Sequence, residues 1–231
     1  MKLGKTLFIL PNLLTAASLF CGLLATLKCT APEITDEDIY QSSFLLFYAF
    51  IFDLFDGRVA RMTRTQSSFG IEFDSLADLI SFGVAPAIIA YRWALSEIGM
   101  IGIAVCFLYV LAGAVRLARF NVMSNAKVQT NKPGKYMLGL PIPMAAAFVV
   151  ALVVASNAMG GWPWLTSHGL TVKGIGYPMM VAIMPTLAVL MVSEVKFRSF
   201  KDLKINIFFV SIFVVTLGSS VVLWIKSKPA Y

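Results

Sequence analysis

The sequence of 231 residues has little charge for its length. Asp, Glu, Lys and Arg together make up 13% of the residues, whereas hydrophobic residues make up 58%. A soluble domain usually carries about 25% charged residues, so this chain cannot cover a hydrophobic core with a water-facing surface. The same composition excludes a disordered chain and a disulfide-rich scaffold. We therefore expect an integral membrane protein.

Residues that bind transition metals are also scarce. The chain has one histidine, His168, and three cysteines, Cys21, Cys29 and Cys106, without the CxxC or Cys/His spacing of a zinc site. A catalytic triad or a metal site based on histidine is therefore not expected. Any bound metal would be a hard cation held by carboxylates.

Apolar stretches long enough to cross a membrane recur along the whole chain. A helix needs about 20 residues to cross about 30 Å of hydrocarbon. The predicted spans cover residues 8–28, 41–62, 71–93, 98–120, 140–158, 175–193 and 205–226. The first is too long for a signal peptide and lacks a small-residue cleavage site, so we expect an uncleaved helix. The last is interrupted at residues 218–220, which leaves six, seven or eight spans open.

The positions of the basic residues predict the orientation of the chain. Fourteen of the 19 Lys and Arg residues lie at the N-terminus or in the even-numbered loops. Because basic loops stay on the inner side, we expect a multi-pass protein of the cytoplasmic membrane with a cytoplasmic N-terminus. The net charge of +7 then reflects topology and contact with anionic lipids, and no nucleic-acid partner is needed.

Four aspartates lie inside or at the edges of the second and third predicted spans. An Asp at the centre of a span costs about 2.5–3.5 kcal/mol, so these side chains need compensation. Asp53 and Asp56 share one helix face, and Asp74 and Asp78, at positions i and i+4, share a face of the next helix. A short polar turn makes the two helices antiparallel neighbours. The four carboxylates predict an all-oxygen site for a divalent cation.

Two alternatives to a metal site remain open from the residues alone. The aspartates could form interhelical salt bridges with Arg58, Arg61 and Arg64. They could also line a cation or proton path through a transporter, although that reading does not explain the small residues Gly57 and Ala60 on the same face.

The segment that carries these aspartates reads D-x2-D-G-x2-A-R-x8-G-x3-D-x3-D and resembles the signature of the CDP-alcohol phosphotransferases. The resemblance extends from about residue 10 to residue 194. Within that family the flanking segments are similar to the phosphatidylserine synthases of bacteria and archaea. Those segments are Pro11-Asn12-Leu13-Leu14-Thr15, residues 74–86, residues 116–121 and Gly139-Leu140-Pro141-Ile142-Pro143.

The resemblance implies a fold and a set of site residues. The expected fold is an all-α polytopic membrane protein of one domain, residues 1–231, with a six-helix catalytic core at about 8–194 and an extra C-terminal span at about 205–226. Two divalent cations, Mg²⁺ or Mn²⁺, would be held by Asp53, Asp56, Asp74 and Asp78. Asp78 would also be the catalytic base. The CDP-lipid would contact Pro11, Asn12, Thr15, Gly57, Ala60, Arg61, Ser67 and Gly70.

The acceptor alcohol or the transferred phosphate would contact a further set of residues, on the same resemblance. That set is Arg116, Arg119, Asn121 and Ser81. For the two arginines, ordinary anchoring at the inner membrane surface is the alternative.

The function implied is transfer of the phosphatidyl group from CDP-diacylglycerol to the hydroxyl of L-serine, giving phosphatidylserine and CMP. A homodimer in contact with membrane lipids, with its active site facing the cytoplasm, is also implied. The open alternatives are another acceptor (glycerol 3-phosphate or inositol phosphate), an archaeal ether lipid as substrate, and a cation transporter.

Overall fold

The computed structural model describes residues 3–63, 67–130, 136–158 and 172–198. Within these ranges the chain forms seven α-helices, one π-helical segment, one short 3₁₀ turn and two short strands. The helices are α1 (Leu3–Cys29), α2 (Asp36–Met62), α3 (Ser68–Asp78), α4 (Ala85–Trp93), α5 (Met100–Thr130), α6 (Ile142–Ala158) and α7 (Val172–Val192). The π-helical segment is Leu79–Val84, and the 3₁₀ turn is Leu95–Ile98.

Helices occupy the first six predicted spans. The third predicted span is formed by α3, the π-helical segment and α4 as one continuous stretch, Ser68–Trp93. This stretch, Ile9–Cys29 and Met100–Met123 are each long and apolar enough to cross a membrane. The all-α membrane class is thereby confirmed. The seventh predicted span, 205–226, lies outside the described residues.

Some helix boundaries differ from the prediction. α5 begins at Met100 rather than at 98, because the preceding residues form the 3₁₀ turn, and it continues past 120 to Thr130. α2 begins earlier than predicted, at Asp36, where Thr35 forms a capping box with Asp38. The Thr35 hydroxyl accepts from the Asp38 backbone N–H at 3.2 Å, and the Asp38 carboxylate accepts from the Thr35 N–H at 3.0 Å. Polar residues thus extend a helix beyond its apolar stretch.

The helices approach closely where small residues meet. A Cβ added at Gly22 in α1 would lie 2.6 Å from the Ser81 hydroxyl and 2.7 Å from the Ser81 Cα. Ser81 donates to the Ser18 carbonyl at 3.1 Å, and Ser18 in turn donates to the Ala49 carbonyl in α2 at 3.0 Å. Small residues and cross-helix hydrogen bonds are typical of helix contacts in membranes. α1 is therefore fixed against both α2 and the π-helical segment.

The π-helical segment begins directly after Asp78. Its Phe82 carbonyl accepts a hydrogen bond from the buried Tyr109 hydroxyl of α5 at 3.2 Å. The Phe82 ring meets that of Phe50 edge to face, with 5.8 Å between the centroids. Single π-helical turns occur often at functional sites. Here α1, α2 and α5 all hold the segment that follows the fourth aspartate.

Two short strands, which the sequence did not predict, join two loops. β1 (Tyr136–Leu138) pairs antiparallel with β2 (Lys196–Arg198). Gly139 follows β1 with a φ of 74°, and its N–H donates to the Val195 carbonyl at 3.0 Å. A side chain at this glycine would also collide with the Met191 carbonyl, 2.2 Å from the added Cβ. The ladder connects two loops that the predicted topology places on one side of the membrane.

Candidate active site

Three of the four predicted aspartates converge between α2 and α3. One carboxylate oxygen each from Asp53, Asp56 and Asp74 lies within 4.8 Å of the other two. Oxygens that share a divalent cation at about 2.0–2.6 Å lie roughly 3–5 Å apart, so this spacing fits one ion. Asp56 is buried, at 4% exposure, and the other two are half-buried. The structure thus assembles from two helices the acidic group that the spacing predicted.

Asp78 adjoins this group from one turn further along the chain. Its side chain is near enough to Asp53, Asp56 and Asp74 to interact with them. The i, i+4 spacing of Asp74 and Asp78 puts both on one face of α3, and from that face Asp74 approaches Asp53 and Asp56 of α2. Asp78 therefore lies beside the group of three carboxylates, and its role as a fourth ligand stays a prediction.

No salt bridge to these carboxylates is seen among the described residues, although the charges of Arg61 and Arg116 reach Asp56 and Asp78. Among the residues that the structure describes, no arginine lies within 4.0 Å of any of the four, so the salt-bridge alternative gains no support; Arg64 lies outside those residues. The Oδ1 atom of Asp74 is buried and has no hydrogen-bond partner in the described part of the chain. Buried polar atoms almost always have a partner. The orphaned oxygen, with three carboxylates beside it, fits a bound cation.

Thr15 of α1 contacts the acidic group directly. Its hydroxyl lies 2.6 Å from Asp56 Oδ2 and donates to it, and both side chains are buried. A hydrogen bond of this kind holds a ligating carboxylate in one orientation. The sequence predicts that Thr15 contacts the nucleotide, and the structure shows a hydrogen bond from Thr15 to Asp56.

The other residues predicted to contact the CDP-lipid lie around the same end of the bundle. The Ser67 hydroxyl accepts from the Gly70 N–H at 3.0 Å and so begins α3. A Cβ added at Gly70 would lie 3.3 Å from Asn12 Oδ1, so α1 and the start of α3 are in contact there. On α2, a Cβ added at Gly57 would lie 3.5 Å from an Arg61 guanidinium nitrogen. Pro11 is buried in α1, and Ala60 is half-buried in α2.

Among the predicted acceptor residues, only Arg116 has a buried polar atom without a hydrogen-bond partner in the described part of the chain. It is 7% exposed, and its Nε has no hydrogen-bond partner among the described residues. Its guanidinium carbon lies 5.5 Å from the Phe120 ring centroid, a cation–π distance. It is also close enough to Asp78 for their charges to interact. A buried guanidinium next to the acidic group, with its Nε lacking a partner among the described residues, is suited to an anionic ligand.

The remaining predicted acceptor residues are bonded to neighbouring helices. Arg119 donates to the Val192 carbonyl at 3.0 Å and lies 3.9 Å from the Glu194 carboxylate. The Ser81 hydroxyl is fully buried and donates to α1, as described above. Contacts of Arg119 and Ser81 with an acceptor stay predictions, to which these bonds add no support.

Asn121 is likewise bonded to a neighbouring helix. Its amide nitrogen donates to Glu72 Oε2 at 2.9 Å and to the Ser75 hydroxyl at 3.0 Å, both on α3. Sequence reasoning missed Glu72 and Ser75. Their i, i+3 spacing places them on one face, but nothing in the sequence shows which helix that face meets.

The chain is similar to known proteins over most of its length. The family model described as CDP-alcohol phosphatidyltransferase matches residues 8–227. A CDP-diacylglycerol–serine O-phosphatidyltransferase of Helicobacter pylori strain 26695 is 40% identical over 201 residues, 87% of this chain and 76% of that protein. The protein of the same name from Bacillus subtilis strain 168 is 33% identical over 192 residues, 83% of this chain and 91% of that protein. A further one from Saccharomyces cerevisiae is 36% identical over 147 residues, 62% of this chain and 52% of that protein.

Replacing one carboxylate should remove the metal response of the free protein. Mn²⁺ at about 100 times its Kd should stabilise the wild type by about 2.7 kcal/mol, because it binds the folded state. Asp74→Asn removes a charged oxygen and should abolish most of this gain. The measurement is the thermal unfolding temperature in detergent with and without Mn²⁺ or Mg²⁺.

The matched control is Glu97→Gln, which neutralises an exposed carboxylate in the 3₁₀ turn after α4. This variant should respond to the metal as the wild type does. An Asp74→Asn variant that gains as much stability as the wild type would contradict the metal assignment.

Proposed function

The chain belongs to the CDP-alcohol phosphatidyltransferase family, and on that premise we propose that it transfers the phosphatidyl group of CDP-diacylglycerol to the hydroxyl of L-serine, giving phosphatidylserine and CMP. The observation that carries the proposal is the convergence of Asp53, Asp56 and Asp74, with Asp78 interacting with the same group. The choice of serine is supported by the names of the relatives that cover most of this chain.

The protein is a multi-pass membrane protein, with its family and three candidate spans in agreement. We place it in the cytoplasmic membrane, with the N-terminus and the active site on the cytoplasmic side, because the basic loops favour that orientation. The nucleotide and serine would enter from the cytoplasm, and the acyl chains would stay in the bilayer. A homodimer, with each copy formed by a core at about 8–194 and an extra span at about 205–226, completes the proposal.

The four aspartates would hold two divalent cations, Mg²⁺ or Mn²⁺. When bound, such ions supply positive charge that neutralises the pyrophosphate and stabilises the leaving phosphate oxygen. Asp53, Asp56 and Asp74 are the ligands that the geometry supports best, and Asp78 completes the set. The Thr15 hydroxyl would keep the Asp56 carboxylate in its orientation.

The nucleotide would lie along α2 and the start of α3. Gly57 and Ala60 leave the backbone of α2 open to a ligand, and Arg61 offers a guanidinium to phosphate oxygens. Gly70 has the Asn12 and Ser67 side chains beside it, so this corner has polar groups suited to a ribose or a base. Pro11 would support the turn of α1 that carries Asn12 and Thr15.

Asp78 would take the proton from the serine hydroxyl. The serine oxygen then forms a bond to the β-phosphorus of CDP-diacylglycerol, and the bond from that phosphorus to the oxygen of CMP breaks. CMP leaves with the electron pair, and no covalent enzyme intermediate is required, since both reactants are held side by side. The position of Asp78 in the acidic group, next to the buried Arg116, supports this role.

Arg116 would bind the carboxylate of serine. Its buried Nε lacks a partner among the described residues, and its charge reaches Asp78. A serine whose carboxylate pairs with Arg116 therefore has its hydroxyl directed towards the proposed base. The transferred phosphate is the other anion that this guanidinium could contact.

The function is tested by CMP release from the purified protein in detergent. With CDP-diacylglycerol and Mn²⁺ or Mg²⁺, we expect release that depends on L-serine and on the metal. Matched reactions contain glycerol 3-phosphate or inositol 1-phosphate instead. Release with one of these alcohols would identify that alcohol, rather than serine, as the acceptor. Metal flux into vesicles without CMP release would favour a transporter.

Asp78→Asn should abolish turnover while binding of CDP-diacylglycerol stays largely intact. The amide keeps the size of the side chain but cannot accept the proton, and removing a general base typically costs about 10²–10⁴-fold in rate. Turnover and binding of labelled CDP-lipid are measured on the same preparation. Unchanged turnover would remove Asp78 from the base role.

Arg116→Ala should raise the KM for serine more than that for CDP-diacylglycerol. Loss of a charge-assisted bond to the carboxylate costs about 1.5–3 kcal/mol, roughly 10- to 150-fold in affinity. Arg92→Ala is the control, because Arg92 donates to the Ala31 carbonyl between α1 and α2, at the opposite end of the bundle. A rise confined to the KM for CDP-diacylglycerol would assign Arg116 to the phosphate instead.

A further inference from the structure

Helix α3 carries two of the four aspartates on only 11 residues. At 100° per residue, Asp74 and Asp78 lie within about 40° of each other around the helix axis. Glu72 and Ser75 lie about 110° from that pair, measured between the centres of the two faces. One face of α3 therefore meets the acidic site, and an adjacent face meets α5.

Among the described residues, the hydrogen bonds that join the second face to α5 all involve one side chain, that of Asn121. The two hydrogens of its amide nitrogen point to Glu72 Oε2 at 2.9 Å and the Ser75 hydroxyl at 3.0 Å. Ser75 lies 3.2 Å from Asn121 Oδ1 and 3.1 Å from the Ile71 carbonyl, so its hydroxyl is also bonded. Since an amide nitrogen has two hydrogens, no donor of Asn121 remains for a substrate. At 8% exposure, the side chain is buried in this contact.

The location of this contact allows it to affect the positions of the carboxylates of Asp74 and Asp78. Ser75 is the residue next to Asp74, so the bond acts at the level of the metal site. Side chains extend to a radius of about 5–6 Å from a helix axis, so a rotation of α3 by about 10° moves a carboxylate by about 1 Å. A displacement of that size can reduce catalysis about 100-fold. Mg²⁺ in particular demands near-ideal ligand geometry.

We propose that Asn121 is a positioning residue, which fixes the rotation of α3 through Glu72 and Ser75 and thereby sets the metal geometry of Asp74 and Asp78. The proposal rests on the metal-dependent function proposed above and replaces the predicted contact of Asn121 with the acceptor. Asn121 acts through α3 and touches neither substrate.

The first variant is Asn121→Asp, which keeps the shape but exchanges both donors for acceptors and faces Glu72 with a second carboxylate. The measurement is the Mn²⁺ concentration that gives half of the maximal thermal stabilisation, without any substrate. We expect it to rise about 10-fold or more, as for other partners of metal ligands. Val122→Ala is the control, since Val122 is the next residue and is 71% exposed; it should leave the Mn²⁺ requirement unchanged.

The second variant combines Asn121→Asp with Glu72→Gln and so exchanges the amide and the carboxylate between the helices. Because a donor again faces an acceptor, the double variant should recover most of the lost Mn²⁺ affinity. A residue with only a structural role would change the unfolding temperature of the metal-free protein but not the Mn²⁺ requirement. If Asn121→Asp does not fold, Ser75→Ala removes one of the two acceptors and should give a smaller rise.

An unchanged Mn²⁺ requirement in Asn121→Asp, or in Ser75→Ala where that variant is used, would overturn the proposal. So would a double variant no better than the single one, or a wild type that neither Mn²⁺ nor Mg²⁺ stabilises. A wild type that binds Mn²⁺ but releases no CMP would instead overturn the proposed function and leave the role of Asn121 intact.

Discussion

The repulsion among four carboxylates in an apolar helix bundle is the constraint on which the rest of the structure depends. Each would cost about 2.5–3.5 kcal/mol in the middle of a span even without its neighbours. Only α2 and α3 supply them, and the described residues place no arginine within 4.0 Å to offset them. The fold must therefore hold these helices together against a force that separates them. The packing of α1 and α5 around the pair supplies that restraint.

Polar contacts between helices add to the restraint that the apolar core provides. α1 contributes Thr15 to Asp56 and Ser18 to the backbone of α2, and it approaches the π-helical segment through Gly22. α5 contributes Tyr109 and Asn121, whose partners Phe82 and Glu72 lie on either side of Asp78 along the chain. Helices in a membrane gain little from apolar burial against each other, so such contacts carry more of the specificity than in a soluble bundle.

The sequence predicted those features of the architecture that are properties of a single helix, such as its length and the face on which a residue lies. Apolar length located six of the spans, and the spacing of Asp53, Asp56, Asp74 and Asp78 predicted the acidic group. Contacts that need knowledge of the neighbouring helix could not be predicted, because periodicity gives the face of a residue but not its partner. For Asn121 the sequence predicted a contact with the acceptor, whereas the contacts that the structure shows are with Glu72 and Ser75 of α3. The ladder between β1 and β2 was missed because its strands have three residues each and no hairpin turn joins them.

The π-helical segment Leu79–Val84 has a consequence for the span that it interrupts. A wider turn accommodates extra backbone, and each added residue advances the rest of a helix by about 100° around its axis. The first half of the span can therefore direct Asp74 and Asp78 towards the carboxylates of α2, while the second half, in a different helical phase, presents Ala85 and Ile89 to the core. The two halves of this transmembrane segment can therefore contact different neighbours through different helix faces. The residues needed for chemistry in one half do not constrain the residues needed for packing in the other.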